Sequence, residues 1–255
     1  MKKIKTILIL VLYHSVFKYF VRLAGVQRTF SLINKCLPLL KKFSSQKIAV
    51  IKRNINIVFE GKYNNEDLDH IVTKILTNNL KNHVAQLQIN HLSRQDCISL
   101  ATFHGVENLY EVLSSEKGAI LTFHHSGSQD LALNCLGAFL DKQVHLYAYS
   151  EFAPLLPRCN SLFIRKHGNL HTRSFLIVNQ RSVKQLMKSI MSKNIVAIAF
   201  DGIHTKKFIE AQFKGYTMKV SEGLFKLSTR MDTPILPFFS NFNEGIEVTA
   251  QTIGS

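Results

Sequence analysis

The chain has 255 residues and carries 32 Lys and Arg against 17 Asp and Glu, a formal charge of +15. Hydrophobic residues make up 46% and charged residues 19%, which excludes a disordered chain, and the long apolar runs are too few for a polytopic membrane protein. The four cysteines, Cys36, Cys97, Cys135 and Cys159, are scattered without CxxC pairs. They imply neither a zinc site nor a disulfide framework, and a reducing compartment is the default.

The charge is concentrated at the start. From Met1 to Phe59 there are twelve basic residues and no acidic one, so this stretch supplies +12 of the +15. A one-signed basic segment seeks phosphates, of nucleic acid or of anionic lipid. Apolar content separates the two: Ile7 to Tyr13, Val16, Phe17, Tyr19, Phe20, Val21 and Leu23 interleave with Lys18 and Arg22. This is the pattern of an amphipathic surface anchor, because the apolar run is shorter than the ~20 residues a spanning helix needs. No small-residue cleavage site follows, so the segment is expected to be retained. A solvated basic face on an ordinary helix pair is the plainer alternative.

Helices are expected over 6–24 and 27–43. A third follows over 65–92, where Leu68, Ile71, Ile75, Leu76, Leu80, Val84 and Leu87 recur at helical spacing. Beyond it the runs 118–123 (GAILTF), 144–149 (VHLYAY), 195–200 (IVAIAF) and 234–239 (PILPFF) read as buried strands. Helical stretches lie between them at 129–140, 182–192 and 222–230. This alternation predicts an α/β fold: a single domain with a largely parallel central sheet flanked by helices, over 46–255, preceded by a basic, membrane-associated helical arm over 1–45. In such sheets ligands gather outside the carboxyl ends of the strands.

The run 118–123 leads straight into His124, His125, Ser126, Gly127, Ser128, Gln129 and Asp130, where the next helix begins. His125 and Asp130 form H-x4-D at a strand-to-helix turn. A loop histidine faced by a carboxylate on the first helical turn has its tautomer fixed and its imidazolium supported. Ser126 and Ser128 lack the G-x-S-x-G elbow, and capping of the helix is expected of at least one. A structural His/Asp pair is the other reading of the same residues.

Taken with the rest of the chain, these residues resemble the lysophospholipid acyltransferases, and among them the bacterial lipid A biosynthesis (lauroyl or myristoyl) branch. Residues 51–59 (IKRNINIVF) with Asn65, Glu66 and Asp67 resemble that branch's "RRNI…FP" motif and acidic helix start. Residues 105–109 (GVENL), Lys117 and Gly118 resemble its lead into the first strand. Arg173, Arg181 and the stretch from Asn194 to Asp201 resemble its arginine-bearing segment, strand and Asp. Phe213, Lys214 and Gly215 stand at a Phe-Phe-Gly type turn, and 233–239 (TPILPFF) resembles the last strand. The likeness covers about residues 1–245. The chain departs from the pattern in having SGSQ in place of a Gly-Asn-Trp core, Asp in place of the more usual Glu, and an early end after Val248.

The resemblance implies transfer of a fatty acyl group from acyl carrier protein or coenzyme A to a hydroxyl of a membrane lipid. His125 is then the general base, Asp130 its orienting partner, and main-chain N–H groups around Gly127 the oxyanion donors. Arg165, Arg173 and Arg181 are candidates for binding the anions of donor or acceptor. Arg173 and Asp201 form a second candidate pair, with a structural ion pair as the alternative. No cofactor is implied. Asp201, His204 and Glu210 have neither the spacing nor the reaction for a metal. Phe238 and Phe239 are expected in the core. The implied partners are the acyl donor, a lipid acceptor and an anionic membrane surface, at the cytoplasmic face of the inner membrane. No nucleic-acid motif is present. Two alternatives stay open: acylation of another acceptor, such as a lysophospholipid or small molecule, and an inactive lipid-binding relative.

Overall fold

The computed structural model describes residues 18–24, 26–89, 92–114, 117–124, 128–149, 172–177, 180–201, 207–242 and 246–250. The chain divides into two compact units, Met1–Gln88 and Ile89–Ser255.

The described part of the first unit is helical: α1 (Lys18–Ala24), α2 (Val26–Phe43), α3 (Ser45–Val58) and α4 (Asn65–Gln88). The side chain of Asn64 accepts the Asp67 N–H at 2.9 Å, and Glu66 and Asp67 place negative charge in the first turn of α4, where the helix dipole favours it. The expected apolar spacing is used in two clusters. Leu68, Val72 and Leu76 meet Leu37 of α2 and Ile55 of α3, while Val84 and Leu87 meet Val21 and Ile33. Lys52 pairs with Asp69 at 2.7 Å across α3 and α4. No helix among the described residues is long and apolar enough to cross a membrane. Residues 6–17 of the expected first helix lie outside the described residues.

The second unit holds α5 (Arg94–Leu100), β1 (Ala101–His104), α6 (Val106–Ser114), β2 (Ala119–Phe123), α7 (Gln129–Leu140), β3 (Val144–Tyr149) and β4 (Thr172–Ile177). It continues with α8 (Gln180–Met191), β5 (Ile195–Ala199), β6 (Phe208–Phe213), β7 (Tyr216–Ser221), α9 (Glu222–Met231), β8 (Ile235–Phe242) and β9 (Ile246–Ala250). Seven strands form one sheet in the order β1-β9-β8-β2-β5-β3-β4. Every neighbouring pair is parallel except β8 with β9. All four expected strands are in it, and the largely parallel sheet is the one the alternation predicts.

The chain passes from β2 through α7 to β3 in one direction along the sheet and returns from β4 through α8 to β5. Right-handed crossovers running in opposite directions put α7 and α8 on opposite faces. On the α8 face, Ile120, Tyr147 and Val196 of the sheet pack against Leu186, Ile190 and Leu224. α7 is buried along most of its length, from Leu131 to Ala138 and again at Leu140, as a helix enclosed on nearly all sides must be. β6 and β7 stand apart as a two-stranded antiparallel hairpin.

Candidate active site

β2 lies inside the sheet, between β8 and β5. Its last residue, Phe123, is level with Ala199, the last of β5, and the Phe123 carbonyl also accepts the Phe200 N–H at 3.0 Å. The two strands therefore end together. His124 follows one, and Phe200 and Asp201 follow the other. The His124 ring lies 6.1 Å from that of Phe200 and 5.7 Å, edge-on, from that of Phe239 on β8. An imidazole and two aromatic rings thus converge where β2 and β5 finish beside β8, which runs on to Phe242, and the carboxyl ends of parallel strands are the position at which α/β sheets bind ligands.

The turn from β2 into α7 is closed by Gln129, whose side-chain amide donates to the His124 carbonyl at 3.0 Å. Asp130 follows in the first turn of α7, half-buried, where the positive end of the helix favours its charge. His125, Ser126 and Gly127 lie outside the described residues, as does Arg165.

Ser128 occupies the N-cap position, yet its hydroxyl does not cap α7; only its carbonyl joins the helix, accepting the Ala132 N–H at 2.8 Å. The expected capping role is therefore not met at Ser128, and Ser126 falls outside the described residues. The reason is conformational: at φ −109° and ψ 68° Ser128 is off the extended geometry that aims a hydroxyl at the first-turn N–H groups. Its Oγ is buried and has no hydrogen-bond partner among the described residues. An orphaned hydroxyl costs about 1–3 kcal/mol, so the turn carries a polar atom that folding alone does not require.

The other candidates are distributed unevenly. Asp201 follows the carboxyl end of β5 and is exposed, so it stands on the side of the strand exits. Arg181 is the second residue of α8, just beyond the exit of β4. Arg173 is level with His145 near the start of β3 and β4, so its main chain lies at the other end of the strands from Asp201. Phe238 is fully buried, as expected. Phe239, its neighbour on the strand, is 38% exposed and faces His124, a role that strand alternation makes available and that a core reading of the whole run overlooks. Phe200 was likewise legible only as strand. Among the described residues no group of three His, Cys, Asp or Glu forms a metal set.

Two cysteines brace α7 from behind. Cys97 of α5 and Cys135 of α7 are both fully buried, and the Asn134 amide donates to Cys97 Sγ at 3.3 Å. Hydrogen bonding from Cys135 lowers the Cys97 thiol from its ordinary pKa, while the same bond, with burial, raises that of Cys135. Cys36, Cys97 and Cys135 are free thiols. An open cavity of about 500 Å³, lined by Glu111, Lys117, Asp232 and Pro234 among others, lies by the amino ends of β2 and β8, away from the strand exits.

The fold is that of an α/β protein whose candidate site, with its carboxylate on the first turn of α7, sits where the central parallel strands end. The chain belongs to the bacterial lipid A biosynthesis acyltransferase family, whose model matches residues 5–253. No curated protein matches it. Membership makes it an acyltransferase, working with an acyl donor and a lipid acceptor.

Proposed function

We propose that the protein moves a fatty acyl group from the thioester of acyl carrier protein or coenzyme A to a hydroxyl of a lipid A precursor. His125 takes the hydroxyl proton as the oxygen attacks the thioester carbonyl carbon. The tetrahedral oxyanion is held by main-chain N–H groups around Gly127 and collapses with cleavage of the C–S bond, the imidazolium returning its proton to the departing thiolate. Asp130 orients the imidazole and supports its charge. Arg181, on the first turn of α8, and Asp201 stand on the side of the strand exits, and Arg165 and Arg181 hold phosphates or carboxylates of donor and acceptor, whereas Arg173 begins its strand at the opposite end. The single observation supporting this reading is the placement of Asp130 on the first turn of α7, one short turn after the central strand ends, in a chain of this family.

We further propose that residues 1–45 hold the protein on the cytoplasmic face of the inner membrane. In support, Leu23 and Phe43 are 85% and 79% exposed among basic residues, and each Lys or Arg near an anionic surface contributes about 1 kcal/mol. Incubating acceptor-containing membranes with a labelled acyl donor and the purified protein tests the assignment. Label in a lipid A precursor is expected. Label only in lysophospholipid or a small molecule would move the acceptor, and none with either donor would leave a lipid-binding relative.

A further inference from the structure

The hairpin β6–β7 has no role in the chemistry above. Its strands pair Ile209 with Val220, Ala211 with Met218 and Phe213 with Tyr216 on one face. The other face pairs Phe208 with Ser221, Glu210 with Lys219 and Gln212 with Thr217, the last pair also hydrogen-bonded at 3.1 Å. Cross-strand partners share a face and successive residues alternate. One face is therefore apolar throughout, and the other is polar but for Phe208. The turn is Lys214-Gly215, both with positive φ, +51° and +75°, as a two-residue primed turn requires.

Four of the six side chains on the apolar face are exposed, and Ala211 and Val220 are half-buried. Ile209 is 39% exposed, Phe213 44%, Met218 46% and Tyr216 53%, while the unit's core residues are buried. A ribbon that alternates this strictly and still exposes its greasy side fits an external apolar phase better than the protein's own core. Its charges identify that phase. Lys207, Lys214 and Lys219 stand against the single acid Glu210, with Lys214 at the tip between Phe213 and Tyr216. Aromatic rings beside lysines that can extend toward headgroups suit the interface of a negatively charged bilayer. The same lysine at the tip and along the strands opposes edge-to-edge pairing with a second copy.

We propose that β6–β7 is a membrane-docking hairpin whose Ile209, Phe213, Tyr216 and Met218 face enters the interface of an anionic bilayer. The chain contains no tryptophan, so Tyr216→Trp supplies a single emitter at the tip. With vesicles of phosphatidylethanolamine and phosphatidylglycerol, its emission should shift to the blue and be quenched by brominated lipid, with a smaller response to phosphatidylcholine vesicles. Phe213→Ser with Met218→Ser, both at exposed positions, should lower the vesicle partition coefficient about tenfold, with the far-UV circular dichroism unchanged. Neither readout needs acyl transfer, so its failure is distinct from failure of the proposed function. Emission that stays unshifted, whether or not the protein sediments with the vesicles, would overturn the proposal. So would a blue shift that grows with protein concentration in the absence of lipid, since that would make the face a contact between copies.

Discussion

Gly118→Ala strains the start of the strand that carries the candidate site. Gly118 has φ +72°, and a Cβ there would lie 3.1 Å from the Asn194 carbonyl oxygen, 3.2 Å from that of Ile190 and 3.3 Å from Lys193 Cα. All three are main-chain atoms, of the last turn of α8 and of its connection to β5, which cannot swing aside as a side chain can. Gly215 supplies the control, with φ +75° and nothing within 4 Å of the equivalent position. Both substitutions pay the left-handed cost of about 1–2 kcal/mol, and both regain about 0.4–1 kcal/mol from a stiffer unfolded chain. Only Gly118→Ala adds overpacking, about 1–3 kcal/mol. The shared contributions cancel in the comparison, so the difference between the variants should be about 1–3 kcal/mol. Urea unfolding followed by far-UV circular dichroism measures it, both residues lying in the second unit. Equal midpoints for the two variants would refute the close approach of the α8–β5 turn to Gly118.

Three further outcomes follow from single side chains. Ser93 and Asp96 form a reciprocal capping box at the start of α5, with Asp96 accepting the Ser93 N–H at 2.9 Å and Ser93 Oγ accepting the Asp96 N–H at 3.1 Å, so Ser93→Ala should cost about 1 kcal/mol in urea unfolding. The Ser93 hydroxyl and N–H hold the Asp96 carboxyl below its ordinary pKa. Its contribution is therefore complete above the ordinary carboxylate value and lost as the pH falls through the lower folded one, and Ser93→Ala should flatten that acid limb. Ser128→Ala should leave the urea midpoint unchanged or raise it, because the hydroxyl it removes is buried without a partner among the described residues; a clear loss of stability would mean that Ser128 Oγ is bonded. In a Cys159→Ser background, a thiol reagent should find Cys36 in the native protein and reach the buried Cys97 and Cys135 only in denaturant; rapid native labelling of all three would contradict the packing of α5 on α7.

The central strands were legible because each is a short apolar run, buried on both sides of a parallel sheet, and β2, β3, β5 and β8 fall where those runs predict. α7 was legible at both ends for the same reason. The strands that escaped are those whose sequences lack a continuous apolar run. β1 and β4 are sheet edges, β4 opens on the polar Thr172-Arg173-Ser174, and β9 has only five residues. The hairpin did carry a signal, alternation around a Lys-Gly turn, but its apolar residues build no core, so a reading tuned to buried runs passes over them. α3 hid behind Lys47, Lys52 and Arg53, since only Ile55 of its inward positions is fully buried, with Ile48 and Ile51 partly buried beside it.

At the site, the sequence placed Asp130 on the first helical turn and Asp201 after a strand, because both positions follow from where apolar runs stop. It did not separate Phe239 from Phe238, since only the register of β8 beside β2 turns one ring toward His124 and the other into the core. Nor did it show that Arg173 begins its strand rather than ending it. That distinction depends on β4 being a strand at all, which its polar start conceals.

Acyl transfer by purified wild type, His125→Ala and Asp130→Asn, with acyl carrier protein and coenzyme A thioesters and a lipid A precursor, tests the central claim most directly. Wild type should transfer the acyl group, and both variants should lose about 10²–10⁴-fold in kcat with their folded circular dichroism unchanged. Transfer by His125→Ala at the wild-type rate would contradict the account.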